Sequence, residues 1–443
     1  MALAPRAAPR PICLPRSCSL KPVTAIAEGG RGRPRVAQGA ALDGVNMLGR
    51  RRWISALAGS LTMALALGCS SQGGSGTGTS TGSGAAPAAD MKEWKVGAYL
   101  SLSGAEAQFG IDTREGIELA VDEINAAGGL KGKPMKVLFE DDKSNPQEAN
   151  NKVLQLIDRD KVIAILGEVA SARSKAGGIV ANKKKIPMIT PSSTNAEVTK
   201  VGPFVFRVCF IDDFQGKAGA QFAVSTLGKK KIAILFASDV LYSSGLAKEF
   251  RDEVKKLGGE IVIEKSFLQT ETNFTTYVNE IKDAKPEIIY APVYYNHMAP
   301  LAKQAKAAGV PGEMFVGGDG WDGMAPEDLD NMEGAYFTNH YAPDDPSPRA
   351  QTFLKKYNDR FKREPTSLAA NGYDAAGVLA DSIKRAKSDT PDGIREAIAT
   401  TKDYAGVTGN ITLDAERNAQ KPAVIVQIKA RKFKFHSVIG DKK

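Results

Sequence analysis

Histidine, cysteine and long apolar runs are all scarce in this chain, and each scarcity excludes something. Three histidines and four cysteines occur in 443 residues. His297, His340 and His436 have no metal-ligand spacing and no cysteine partners, which argues against a zinc site. Cys13 and Cys18 lie in a Pro- and Arg-rich N-terminal stretch, and Cys69 ends an apolar run. Cys209 therefore stands alone in the part that reads as folded, where no intrachain disulfide can form. The GxSxG string Gly78–Gly82 precedes every candidate strand and so forms no nucleophile elbow, and no phosphate loop ends in Gly-Lys-Ser/Thr. The glycines of Gly73–Gly78 mimic such a loop but precede every candidate strand. The apolar run Trp53–Gly68 has 16 residues, short of the roughly 20 that a spanning helix needs.

An excess of one charge sign is also missing once the N-terminus is set aside. The chain has 59 Lys and Arg against 50 Asp and Glu; ten of the basic and two of the acidic residues precede Cys69, leaving 49 against 48. The basic balance belongs to the leader and is no sign of a nucleic-acid partner. Within that leader, Met47 begins a segment with Arg50-Arg51-Arg52, a short apolar core and small residues before Cys69. This is the layout of a secretory signal. Ala66-Leu67-Gly68-Cys69 is similar to the lipobox of bacterial lipoproteins, although Leu is commoner where Ala66 stands. That similarity makes Cys69 the lipidation site. Cleavage without lipidation and an uncleaved anchor are the alternatives. Residues 1–46 read as a mistaken upstream start or a disordered extension, 47–68 as the signal peptide, and 69–91, rich in Gly, Ser and Thr, as a flexible tether.

About 350 residues follow, enough for two domains. Short apolar runs alternate with helical patterns: strands at Lys95–Leu100, Met135–Glu140, Val162–Leu166 and Pro187–Thr190, with helices at Gly110–Ala127, Pro146–Arg159 and Ser171–Lys184. After Asp212-Asp213 the alternation restarts. Helices Gln215–Leu227, Ser244–Leu257, Phe274–Asp283 and Met298–Ala308 separate strands Lys231–Phe236, Ile261–Phe267, Glu287–Ala291 and Met314–Gly317. Such alternation predicts right-handed βαβ units and parallel sheets covered on both faces, hence two doubly wound α/β lobes. Beyond Tyr336, helices Pro348–Phe361, Ser367–Arg385 and Pro391–Thr400 and strands near Ile411–Leu413 and Ala423–Ile428 are too few for a third domain and return to the two lobes.

Ligands of open α/β sheets sit beyond the carboxyl ends of the strands. The loops there carry Phe109, Ser171, Ser192, Ser193 and Thr194 in the first half and Tyr242, Tyr294 and Asp319 in the second. Singly, a serine before a helix is more often an N-cap and a loop tyrosine more often packs a rim. Their joint placement on the strand-end side of both halves makes them site candidates. Asp141-Asp142 reads as a polar strand terminus or capping turn rather than a metal site. No nucleophile–base or metal constellation emerges, which favours a binding protein without cofactor over a secreted α/β enzyme.

The strings VGAYLSLSGAEAQFG, GIELAVDEINAAGGLKGKP, EDDKSNP, AILGEVAS, IPMITPSSTN and FVGGDGWDG occur in order. Together they resemble the branched-chain amino-acid-binding proteins (Leu/Ile/Val type) that serve ABC importers. The resemblance covers Trp94–Lys443 and is weakest after Tyr336. It implies a type I periplasmic-binding fold with lobes 92–212 plus 342–421 and 213–341 plus 422–443, joined by three crossovers near Asp212, Tyr341 and Pro422. It also implies roles: Ser171 for a carboxylate, Ser192 for a backbone carbonyl, Thr194 for carboxylate and ammonium, Tyr242 and Tyr294 from the other lobe, and Asp319 for the ammonium. Phe109, Val169, Ala170 and Leu368 fall on side-chain pocket positions. The prototype's disulfide positions hold Ser144 and Ala170, and Asp319 stands where the prototype has Glu.

What the resemblance implies is a monomeric, lipid-anchored solute-binding protein of the bacterial cell envelope, on its periplasmic or extracellular face. It would take a free aliphatic amino acid and deliver it to permease subunits in the membrane. Short amides or aromatic acids are the alternative ligands, and a separate receptor the alternative partner. A zwitterion suits these residues, because burying either charge unpaired is prohibitive. On this reading Asp319 acquires a partner only when an amine lies in the cleft, which would make closure depend on ligand.

Overall fold

The computed structural model describes residues 92–440. The expected leader, Cys69 and the tether lie outside them. The first sheet is built from β1 (Trp94–Leu100), β2 (Met135–Asp141), β3 (Ala164–Leu166), β4 (Met188–Thr190) and β5 (Val205–Arg207). Its helices are α1 (Ala107–Ala126), α2 (Pro146–Asp158) and α3 (Ser171–Lys183). All pairings are parallel, in the order β2-β1-β3-β4-β5. The local grammar explains the boundaries. Asn145 accepts from the N–H groups of Gln147 and Glu148 at 2.8 and 3.2 Å, and Pro146 opens α2, where its missing donor costs nothing.

The chain then passes to a second group of elements. α4 (Asp212–Gln221) runs into a π-helical turn, Phe222–Thr226. It is followed by β6 (Lys231–Ala237), α5 (Leu241–Lys256), β7 (Glu260–Phe267), α6 (Thr275–Asp283), β8 (Ile288–Tyr290), α7 (Tyr295–Ala307), β9 (Phe315–Gly317) and β10 (Tyr336–Asn339). Next come α8 (Pro348–Phe361), α9 (Ser367–Arg385) and α10 (Pro391–Ala399), the small antiparallel strands β11 (Tyr404–Gly406), β12 (Gly409–Leu413) and β13 (Ala419–Gln420), and finally β14 (Ala423–Lys429) and β15 (Lys432–Ile439). Ser347-Pro348 and Thr390-Pro391 repeat the cap-then-proline signature at α8 and α10.

The second sheet has the order β15-β14-β10-β9-β8-β6-β7. Its β6–β10 portion is parallel, as the alternation predicts, but β14 runs antiparallel to both β10 and β15. The β14–β15 pairing has a local cause; the β10–β14 pairing does not. Ala430 and Arg431 both take positive φ, 51° and 61°, the backbone of a two-residue hairpin turn. β5, β10 and β15 carry no separate prediction from the sequence; β5 and β10 are only three and four residues long. α4 and α7 each begin three residues before their expected starts, at Asp212 and Tyr295.

α9 returns from the second group to pack on α1, α8 also packs on α1 and α10 on α9, so these helices join the β1–β5 sheet and α1–α3 in the first lobe. α1 and α9 approach so closely that a Cβ on Gly116 would lie 1.9 Å from the carbonyl oxygen of Ala369. Gly116→Ala should therefore force the helices apart and destabilise the protein by about 1–3 kcal/mol, read from the urea midpoint of unfolding.

Candidate functional site

Each candidate side chain is placed by the end of a strand or the first turn of a helix. Ser171 is the first residue of α3, with Ala170 as its N-cap; Phe109 is in the first turn of α1. Tyr242 is in the first turn of α5, Tyr294 is the N-cap of α7, and Asp319 opens a short 3-10 turn after β9. Phe109, Ser171, Ser192 and Thr194 from the first lobe face Tyr242, Tyr294 and Asp319 from the second across a small cavity. Val169, Leu368 and Gly320 complete its wall.

The walls are chemically unequal. Phe109 meets Tyr294 edge-on, ring centroids 5.4 Å apart, and Tyr294 stacks on Tyr242 at 4.9 Å. The Tyr242 hydroxyl accepts from the Gly320 N–H at 3.1 Å, leaving its own proton free to donate. Burial, then the charge of Asp319, holds this phenol well above its usual range, so it stays neutral. Ser171 Oγ accepts from the Asn195 N–H at 3.3 Å and keeps its donor; Thr194 Oγ1 is buried without a protein partner. The first-lobe side of the cavity thus offers serine and threonine hydroxyls beside a helix N-terminus, the second-lobe side a carboxylate and the Tyr242 hydroxyl, and Phe109, Val169 and Leu368 are apolar.

Asp319 departs from the expectation. It does not wait for an amine. Gln215 Nε2 donates to it at 2.8 Å and the Nε2 of His340 lies 3.2 Å from its other oxygen. Burial pushes the His340 imidazole down to about 4, only partly offset by the bond to Asp319, so at neutral pH the ring is an uncharged donor. Two neutral donors aim the carboxylate without cancelling its charge.

Ser193 and Ala170 do not reach the cavity wall. The Ser193 hydroxyl lies 2.7 Å from the carbonyl of Val169 and 2.6 Å from Ser174 Oγ, which ties two loops together. Ser144 takes no disulfide role: its hydroxyl bonds the carbonyl of Ser103 at 3.0 Å and accepts from the Glu106 N–H at 3.1 Å. Sequence reasoning missed Gln215, His340, Arg207 and Asn371. Arg207 of β5, fully buried, donates to the carbonyls of Ser193 and Asn195 at 2.6 and 2.8 Å and so shapes the loop that presents Thr194. Asn371 donates to Ser192 Oγ at 3.3 Å and accepts from Lys421 at 3.2 Å. Polar residues inside otherwise apolar runs, such as Asn371 within Leu368–Ala376, were the available signal.

A buried ionic cluster backs the first-lobe wall. Arg173 lies 3.1 Å from Glu168 and 3.8 Å from Asp142, and also bonds Glu106. Asp141 behaves as a capping residue, accepting from the N–H groups of Leu102 and Lys143 at 2.9 and 2.8 Å. Asp142 is instead sequestered. Burial, then the charge of Glu168, pushes it up to about 8, with Arg173 opposing. A carboxyl whose folded pKa is raised binds its proton more tightly when folded. The stability it contributes is complete below about pH 4, its unfolded value, and is lost as pH rises through about 8. Asp142→Asn should therefore flatten the fall in melting temperature between pH 5 and 9, and a parallel pH profile in the two proteins would refute the assignment.

Comparison with known proteins gives the site its context. A family model described as periplasmic binding protein matches residues 93–433. An amino acid binding protein of Pseudomonas aeruginosa is 33% identical over 219 residues, 49% of this chain and 58% of that protein. The crystal structure of a leucine binding protein, LivK, from Thermotoga maritima is 36% identical with a TM-score of 0.73, covering 78% of this chain and 98% of its own. The branched-chain amino acid transporter substrate binding protein LivJ from Streptococcus pneumoniae, solved with isoleucine, is 32% identical with a TM-score of 0.72, covering 78% and 99%. The chain belongs to the periplasmic binding protein family and carries its two-lobed type I fold.

Proposed function

We propose that this chain is the extracytoplasmic solute-binding lipoprotein of an ABC importer. It binds a free aliphatic or branched-chain amino acid between its lobes and delivers it to the permease, as a monomer and without turnover. The observation that carries this reading is the opposition of Asp319 to the hydroxyls of Ser171 and Thr194 across a small cavity that Phe109, Val169 and Leu368 also line. A zwitterion bound there leaves neither its own charges nor Asp319 uncompensated. The names of the leucine- and isoleucine-binding relatives support the ligand class. The lobes comprise 92–212 with 342–421 and 213–341 with 422–443, hinged near Asp212, Tyr341 and Pro422. Among the described residues no helix is long and apolar enough to cross a membrane; attachment is assigned to a lipid on Cys69.

A thermal-shift panel of L-leucine, L-isoleucine, L-valine, short amides and benzoate tests the ligand. An amino acid at 100 times its Kd should stabilise the fold by ~2.7 kcal/mol. Stabilisation by amine-free acids or amides alone sinks the amino-acid reading. Truncating one partner of a buried charge pair costs roughly 2–5 kcal/mol, so Asp319→Ala should weaken leucine binding at least about 30-fold in calorimetric titration while the ligand-free protein stays folded. For the anchor, mass spectrometry of the mature N-terminus should find a diacylglyceryl-modified Cys69, and Cys69→Ser should release the protein from membranes. An unmodified terminus downstream of Cys69 would overturn the anchor alone.

A further inference from the structure

Two helices of the first lobe begin at the cavity, and each lacks a local partner for one N-terminal N–H. The first four N–H groups of any helix have no acceptor within it. At α1 the N-cap residue, Glu106, makes no capping bond with its side chain. At α9 the N-cap Thr366 accepts from the Ala369 N–H at 3.4 Å, which leaves the N–H of Ser367 unserved. Both orphan donors are met from the opposite lobe. The hydroxyl of Tyr295 accepts from the Gln108 N–H at 3.2 Å and lies 3.2 Å from the carbonyl of Ala105. The carboxyl of Asp322 accepts from the Ser367 N–H at 2.6 Å; burial pushes this group up to about 7, and the bond to Ser367 at the positive end of the α9 dipole only partly offsets that.

The positions are what give these bonds a function. Gln108 immediately precedes Phe109, and Ser367 immediately precedes Leu368, both wall residues of the cavity. On the other lobe Tyr295 immediately follows Tyr294, and Asp322 ends the turn that Asp319 opens. Each cross-lobe bond thus joins a neighbour of one wall residue to a neighbour of another. The two bonds also brace each other: the backbone at Gly323 lies so close to the Tyr295 ring that a Cβ there would come within 2.5 Å. The Tyr295 ring packs on Phe109 as well, centroids 4.9 Å apart.

We propose that Tyr295 and Asp322 are closure latches: positioning residues that hold the lobes together by capping α1 and α9 across the cleft, and so set how long a ligand is retained. They touch no ligand themselves. A ligand that draws Asp319 and Tyr294 toward the first lobe brings the adjoining latches onto their helices, so closure and capping occur together. The retention part of the inference rests on the amino-acid reading above; the capping part does not.

Hydrogen exchange of the full-length protein, with and without L-leucine, tests it, alongside stopped-flow dissociation. In the wild type the amides of Gln108 and Ser367 should be protected. Tyr295→Phe, which keeps the ring, should expose Gln108 alone, and Asp322→Ala should expose Ser367 alone. Asp322→Asn, which retains a carbonyl acceptor, should keep most of the protection. Each loss should raise the leucine dissociation rate about tenfold and leave the ligand-free melting temperature unchanged. If both variants protect both amides as the wild type does, the latch is refuted whatever the ligand. The same holds if the ligand-free protein melts lower by as much as binding weakens, because the bonds are then ordinary fold contacts. Failure of leucine to bind the wild type, with the amide pattern intact, overturns the ligand assignment and leaves the caps standing.

Discussion

A carboxylate buried between two lobes governs the design of this protein. Asp319 is 5% exposed, and a charge so placed is costly unless partners surround it. Gln215 and His340 supply two hydrogen bonds, both from uncharged donors. A lysine or arginine in their place would neutralise the charge. Neutral donors orient the oxygens and leave the attraction intact. His340 can serve because burial keeps it uncharged at neutral pH and because it stacks on Phe210 at 3.8 Å, which fixes the ring.

The opposite wall obeys the complementary rule. Its donors are hydroxyls and the N-terminus of α3, none of them carrying a full charge. Arg207 does carry one, but it is spent inside the first lobe on the carbonyls of Ser193 and Asn195 and on Asn418. The buried Arg173 is likewise engaged by Glu106, Glu168 and Asp142. The strong cations of the first lobe thus act on protein groups and shape the loops, while weaker dipoles line the cavity. Binding of this kind uses fixed dipoles on rigid elements, so little reorganisation is needed when the lobes meet.

The lobes are themselves joined by hydrogen bonds to backbone groups at the starts of helices. Tyr295, Asp322 and Asn195 all bond across the cleft, the last to the carbonyl of Leu241 at 3.0 Å. Hydrogen bonds that water can replace have a small net worth, so bonds of this kind hold the lobes together only modestly. A binding protein needs that modest hold, since a cleft held shut by a large apolar interface would not release its ligand.

Periodicity and punctuation alone determined much of this. Alternating strands and helices, cap-then-proline signatures and the location of Ser171, Thr194, Tyr242, Tyr294 and Asp319 at strand ends are local properties, encoded within a few residues of where they act. The tertiary structure decided which neighbours turn inward: Ser192 and Thr194 face the cavity while Ser193, between them, braces a loop. It also decided who holds Asp319. Gln215 lies 104 residues away in sequence, and no pattern inside α4 marks its side chain as the partner of a turn after β9. The same holds for β14 and β15, whose antiparallel place depends on the free edge of β10, and for Tyr295 and Asp322, whose acceptors find their donors only once two separately folded lobes meet. Local chemistry is written along the chain; contacts between surfaces depend on how far apart in sequence those surfaces are made, and only packing brings them together.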